Sequence, residues 1–423
     1  MPEQKYDVIV IGSGPGGLAA AIAAKKNGAQ KVLIIERDME LGGILLQCIH
    51  NGFGVEVFKE DLPGPSYAQR FIHEALGLGI DTLLDSMVLD AQPGLVTVSS
   101  RLGGIRELHT RALVLAMGCR ERTRAQVRLP GDRPAGVFTA GTAQRWVNVE
   151  GFMPGKRYVI LGSGDIGMIM ARRLTFEGAK VERVLEIMPY LSGLTRNFVQ
   201  CLQDYDIPLQ LQHTISKVIG KNRVEAVETV AVDERWQSVP GSQETIPCDT
   251  LLLSVGLIPE NELSRQAGVA IDPVTGGPFV DSAFQTRVAG VFAAGNVVHV
   301  YDLVDWVTEA GLQAGRSAAL LAQGLLPAMQ ESIALKAGES VRYVVPHTLD
   351  VRQLETEEVP LQMRVRTPIE APVWVEVNDG SNLITRRALP YVRPGEMVTV
   401  NLKPNMADAV RGKNTLTVSV IKR

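Results

Sequence analysis

At 423 residues the chain is long enough for about three domains. Its 43 Lys+Arg against 46 Asp+Glu give a net charge of −3, too even a balance for the basic field that holds nucleic acid or an anionic membrane surface. Four scattered cysteines, Cys48, Cys119, Cys201 and Cys248, with no Cys-x-x-Cys, exclude a zinc ribbon, a clustered iron–sulfur site or a local redox disulfide, so no metal centre is expected.

The first residues, Met1 to Asp7, lack the basic and apolar regions of a secretory signal, and a cytoplasmic protein is expected. The longest uncharged stretch, Val8 to Ala24, is broken by Gly12, Gly14, Pro15, Gly16 and Gly17, which argues against a membrane span. Tyr6 to Ile11 instead reads as a buried parallel strand, the glycine run as a tight turn, and the Ala-rich segment as a helix. In such a unit Gly12 permits the turn, Gly14 admits a pyrophosphate and Gly17 lets helix and strand pack closely. The free N–H groups at the helix start then face the anion. A second strand, Lys31 to Ile35, ends at Glu36, placed to accept hydrogen bonds from both hydroxyls of an adenosine ribose.

The unit recurs. Tyr158 to Leu161 leads into Gly162-Ser163-Gly164-Asp165-Ile166-Gly167, a helical run from Met168 to Leu174, and a strand ending at Glu186. The acid follows the first glycine at the same offset in both copies, and a gapless overlay also pairs Gly28-Ala29 with Gly178-Ala179, as expected of an internal duplication. Two dinucleotides are therefore expected. Ile187-Met188-Pro189-Tyr190 after Glu186 offers no immediate Arg or Lys for a 2′-phosphate, which predicts NADH over NADPH. Arg172, Arg173 and Arg183 remain candidates to reach that phosphate from elsewhere.

Three further motifs follow in order: Leu113 to Gly118 with Ala116, Thr250 to Asn261 with Gly256, and Ala289 to Asn296 with Gly295. With the duplicated turn they resemble the two-dinucleotide-binding-domain flavoproteins of the pyridine nucleotide–disulfide oxidoreductase family. The resemblance implies an α/β fold with two Rossmann-like, glutathione-reductase-like domains. FAD would be held by Gly12, Ser13, Gly14, Pro15, Gly17, Glu36, Arg37, Gly43, Ala116, Gly118, Gly295 and Asn296. NAD would be held by Gly162, Gly164, Asp165, Ile166, Gly167, Glu186 and Gly256. The expected domains are 1–120 with 263–330 for FAD, 121–262 for NAD, and 335–423.

Two departures from the family pattern matter. Its late motif normally ends in Asp, where this chain has Asn296, an amide that both accepts and donates. Where disulfide reductases carry Cys-x4-Cys, the text is Ile44-Leu45-Leu46-Gln47-Cys48-Ile49-His50-Asn51-Gly52-Phe53-Gly54, and one cysteine cannot form that disulfide. The segments Gly43 to Tyr67, Met117 to Arg124 and Gly295 to Asp305 are similar to flavoprotein subunits found with glycerol-3-phosphate or 2-hydroxyglutarate-type dehydrogenases. That likeness implies an electron-transfer subunit with a partner dehydrogenase; self-association is a further candidate.

By the same resemblance Cys48 and His50 pass beside the flavin, where they are candidate catalytic residues. A buried thiol and a hydrogen-bonded histidine are the alternative. Arg120, Arg122, Arg124 and Arg128 are a candidate docking cluster or a solvated run. Family geometry aims a helix from Trp306 to Leu321 at the flavin, with Asp302 and Asp305 as candidate capping carboxylates. Strand-like runs separated by polar turns over residues 341–423 predict a small β-sandwich, a lid or a docking module for the partner. Three functions remain open: NAD-linked electron transfer within a dehydrogenase complex, a stand-alone NADH oxidase or peroxidase using Cys48, and a non-catalytic nucleotide-binding scaffold.

Overall fold

Buried apolar strands flanked by glycine turns set the architecture of the computed structural model, which describes residues 4–423. The chain forms two compact units. One runs to Cys119 and resumes over Pro259–Arg423, and the other is Arg120–Ile258.

In the first unit, strand Gln4–Ile11 pairs in parallel with Val32–Ile35 on one side and Gly104–Leu115 on the other. Val32–Ile35 is extended by Asp81–Leu83. Strand Gly104–Leu115 serves two neighbours along its length: its early part pairs antiparallel with Leu95–Ser100, and Leu113 to Leu115 pair in parallel with Val291–Ala293. Val8, Ile9 and Val10 are wholly buried, as a strand covered on both faces requires. Helices Pro15–Lys26 and Val304–Ala322 pack against each other and both contact the sheet, within one apolar core. Small residues make that packing possible: a Cβ at Gly311 would stand 2.3 Å from the Gly16 carbonyl oxygen, and one at Gly315 1.9 Å from that of Ala20. The helix following the late motif is thereby locked, backbone against backbone, to the helix of the first glycine turn.

The second unit repeats the scheme. Its parallel sheet runs Leu209–Leu211, Lys180–Glu186, Arg157–Leu161, Thr250–Leu253, Val137–Thr139, with helix Asp165–Phe176 on one face. A three-stranded antiparallel sheet of His213–Ile219, Ala226–Ala231 and Glu244–Pro247 shares the apolar core on the other. The duplication extends to hydrogen bonds: Gly12 N–H donates to Ile35 O at 2.9 Å and Gly162 N–H to Leu185 O at 2.7 Å.

After residue 330 the chain builds a five-stranded and a three-stranded sheet over one apolar core. The strand-like runs of this region are strands, at Val341–Val345, Val359–Val365, Val373–Asn378, Val398–Leu402 and Thr415–Lys422. Ser332–Ala337, Thr348–Asp350 and Leu383–Leu389 complete the two sheets. Tyr343 and Val345 bury into the core behind the nucleotide sheet, and His347 Nε2 lies 3.2 Å from Asp272 Oδ2. Asp281 bridges to Thr348 in this seam. Burial, reinforced by Asp350, pushes its carboxyl up to about 6 although Gln285 and Ala283 donate backbone N–H bonds to it. Because the folded value exceeds the unfolded one, its stabilising contribution is complete below about pH 4 and is lost as pH rises through 6. Asp281→Asn keeps the Oδ1 acceptor; it is expected to stabilise by about 1–2 kcal/mol at neutral pH and by nothing near pH 4, read by thermal unfolding at both values.

Among the described residues no helix is long and apolar enough to cross a membrane.

Candidate functional site

The first glycine turn has the shape an anion cradle needs. Gly12 adopts φ +101°, and a Cβ there would meet the Ala116 carbonyl oxygen at 2.4 Å. At Gly17 it would meet the Gly12 carbonyl oxygen at 1.9 Å, whereas at Gly14 nothing lies within 4 Å. Gly14 is thus the open position, and the helix begins at Pro15 with no side-chain cap, which leaves its N-terminus to an anion. Gly43, at φ +57°, brings a second backbone segment against Gly14. Glu36 is buried: its Oε2 accepts Ser13 N–H at 2.9 Å and the Ser13 hydroxyl at 2.6 Å, and its Oε1 accepts Asp38 N–H. An open glycine, an uncapped helix start and a fixed carboxylate at the strand end fit the diphosphate and ribose of a dinucleotide. Arg37 is largely exposed and reaches Glu260 at 3.6 Å.

The second turn copies the first with one addition. Gly162 at φ +100° abuts Ser254 O, and Glu186 Oε2 accepts Ser163 N–H at 3.0 Å and the Ser163 hydroxyl at 2.7 Å. Here Ser192 adds a third donor at 2.7 Å, while Met188 N–H holds Oε1. Ser254, at the position of Ala116, accepts Gly167 N–H at 3.1 Å. Asp165 Oδ1 accepts Leu194 N–H and Asn197 Nδ2, so its carboxylate ties the turn to the 193–197 segment, and Ile166 packs into the apolar core. Arg183 is engaged by Glu244 and Gln210, Arg173 by Asn148 and Glu177, and Arg172 lies over the Phe176 ring. Arg124 spans the carbonyls of Leu129, Pro130 and Gly131, which assigns at least this member of the arginine run to holding a turn.

Cys48 lies in a tight loop whose backbone is pinned by Gly64 N–H donating to Cys48 O at 2.8 Å. Its thiol donates to Ile44 O at 3.3 Å, and burial pushes its pKa up to about 12, the opposite of what a thiolate nucleophile requires. His50 Nδ1 lies 2.9 Å from Asn51 O, with its ring against Phe53.

The capping roles expected for Asp302 and Asp305 are not realised. The N-cap of helix Val304–Ala322 is Leu303, with no side-chain cap. Asp305 turns back to accept Gly54 N–H and Val57 N–H, fastening the Cys48 loop. Asp302 accepts Met397 N–H and pairs with Arg364. Both carboxylates are engaged by donors in segments distant in sequence, and the helix start carries no side-chain cap. Asn296 Oδ1 accepts Tyr301 N–H at 3.0 Å, and its Nδ2 reaches Cys119 Sγ at 3.6 Å. Gly118, Gly256 and Gly295 all adopt positive φ, at the motif turns named for them. Ser163, Ser192 and Ser254 were not singled out from the sequence. The recurrence of Ser13 as Ser163 in the duplicated turn was the available signal for the first; nothing local marks the other two.

The chain is 26% identical over 314 residues to an opine oxidase subunit of Agrobacterium tumefaciens, covering 69% of this chain and 61% of that one. It is 28% identical over 314 residues to an NAD(P)H sulfur oxidoreductase (CoA-dependent) of Pyrococcus abyssi, covering 71% and 64%. The chain thus spans less than two thirds of the length of these relatives. Among solved structures, thioredoxin reductase of T. acidophilum superposes with a TM-score of 0.62 at 21% identity, over 76% of this chain and all of that one. Residues 6–314 match the pattern described as Pyridine nucleotide-disulphide oxidoreductase. With both nucleotide turns, the strand-end carboxylates and the late motif in place, the chain belongs to that family of FAD- and NAD(P)H-dependent oxidoreductases.

Proposed function

We propose that this oxidoreductase works as the NAD-linked flavoprotein subunit of a dehydrogenase complex and exchanges electrons with a partner, not with a disulfide of its own. The observation that carries this reading is Cys48: it stands alone in the segment where disulfide reductases have two cysteines, and its partly buried thiol donates to Ile44 O and has its pKa pushed up to about 12 by burial. Bound FAD would supply the chemistry, taking hydride from NADH or returning it to NAD⁺. The protein's part is to hold each nucleotide by its glycine turn and carboxylate and to keep the flavin edge oriented. That the opine oxidase relative is named as one subunit of its enzyme favours a partner. The likeness at 43–67, 117–124 and 295–305 favours glycerol 3-phosphate or a related hydroxy acid as the partner's substrate. We read the two C-terminal sheets as a sandwich and a candidate face for that partner. NADH is favoured over NADPH because Glu186 is held rigidly by three donors on one oxygen, while Arg173 and Arg183 are spent on other partners.

Anaerobic titration with NADH tests the reading: the bound flavin bleaches stoichiometrically, and Cys48→Ser does so at the same rate within about twofold, since the serine hydroxyl also donates to Ile44 O in place of the weaker thiol. Loss of reduction in Cys48→Ser with flavin still bound would restore the thiol mechanism. Turnover of a hydroxy acid by the isolated chain would remove the need for a partner.

A further inference from the structure

The loop between the late motif and helix Val304–Ala322 joins two groups that face FAD by family geometry: the Asn296 amide and the uncapped helix start. The orientation of Asn296 is set from two sides: within this loop its Oδ1 accepts Tyr301 N–H at 3.0 Å, and its Nδ2 reaches Cys119 Sγ at 3.6 Å. The residues on either side of Tyr301 are gripped from outside. Arg364 Nη2 donates to Val300 O at 3.2 Å and to Asp302 Oδ1. The other Arg364 nitrogen, Nη1, donates to Pro394 O at 3.1 Å, and Met397 N–H closes the ring on Asp302 Oδ2. All these donors belong to the C-terminal sheets and their 394–397 turn. The pair is shielded, with side-chain exposures of 16% for Arg364 and 9% for Asp302, so little solvent is available to replace a lost partner.

We infer that Arg364 is a positioning residue for the flavin site: by holding Val300 and Asp302 it fixes Tyr301, hence the Asn296 amide, and it neutralises a carboxylate two residues before the helix start. The C-terminal module is on this view part of the flavin-binding apparatus. Without the guanidinium, Asp302 loses its cationic partner beside the end of the helix that favours negative charge. The inference rests on the family's FAD binding and is independent of the partner reading.

The test uses the full-length chain as Arg364→Met, Arg364→Lys and Arg364→Met combined with Asp302→Asn. Arg364→Met is expected to bind FAD about tenfold more weakly in apoprotein reconstitution. Its flavin midpoint potential should fall and its flavin absorption band should shift, with NADH affinity unchanged. Arg364→Lys, which keeps the charge but not the two-branched grip, should lie between. The double variant should recover much of the potential while staying weak in FAD binding. Circular dichroism and thermal unfolding report folding separately. A folded Arg364→Met with wild-type FAD affinity, spectrum and potential overturns the inference. If that variant does not fold, wild-type values in both Arg364→Lys and the double variant overturn it equally. Failure of NADH to reduce the wild-type flavin would count against the proposed function and leave these measurements intact.

Discussion

Gly17→Ala is expected to yield a chain that no longer retains FAD. The new Cβ would lie 1.9 Å from the Gly12 carbonyl oxygen and 3.4 Å from the Ala116 Cβ, and the atom it strikes is backbone, with no flexible side chain to give way. Either the turn opens or the helix start retreats from the strand, and both move the N–H groups that meet the pyrophosphate. Loss of affinity on the order of 100-fold or more is expected, about 2.7 kcal/mol. It would be read as the flavin-to-protein absorbance ratio after gel filtration. The second turn is the internal control. A Cβ at Gly167 would meet Ser254 Cβ at 2.7 Å and Oγ at 2.8 Å, with the Gly162 oxygen at 3.0 Å, a crowd of which part can rotate. Gly167→Ala should keep its flavin and raise the KM for NADH about tenfold, a 1.4 kcal/mol effect. Equal flavin content in Gly17→Ala and the wild type would contradict the assignment of the first turn.

Glu186→Gln is the second large effect. The carboxylate accepts Ser163 N–H, two serine hydroxyls and Met188 N–H, and an amide must turn one NH2 toward such a donor set. The NADH KM is expected to rise about tenfold. The preference for NADH over NADPH should fall by a similar factor, because the charge that opposes a 2′-phosphate is gone. Ser192→Ala removes one of the three donors on Oε2 and should move both quantities in the same direction by about two- to fivefold, the scale of one hydrogen bond. Stopped-flow flavin reduction with each nucleotide measures both. An unchanged NADH/NADPH ratio in Glu186→Gln would place the discrimination elsewhere in the domain.

The site residues divide by how local their constraint is. Gly12, Gly17 and Gly162 could be named from the chain because a strand, a turn and a helix within a few residues leave only glycine at those points, and the structure shows the clashes that enforce it. Glu36 and Glu186 were legible for the same reason, each ending the next strand. Cys48 was legible as a lone cysteine but not as a protonated one, since burial and the Ile44 carbonyl act through the folded loop. Asp302 and Asp305 show the converse: both precede or open a helix, the ordinary place for a cap. Their donors, Met397, Arg364, Gly54 and Val57, lie tens to hundreds of residues away.

By itself, then, the sequence determined the duplicated nucleotide unit, the order of the family motifs and the want of a second cysteine, because each is written in contiguous residue types under steric rules. The tertiary structure alone decided how the C-terminal sheets meet the loop after Asn296, which carboxylates are paired, and what holds the Cys48 thiol. Those outcomes depend on the competition among buried donors and acceptors from distant segments, and no local pattern of residues records who wins it.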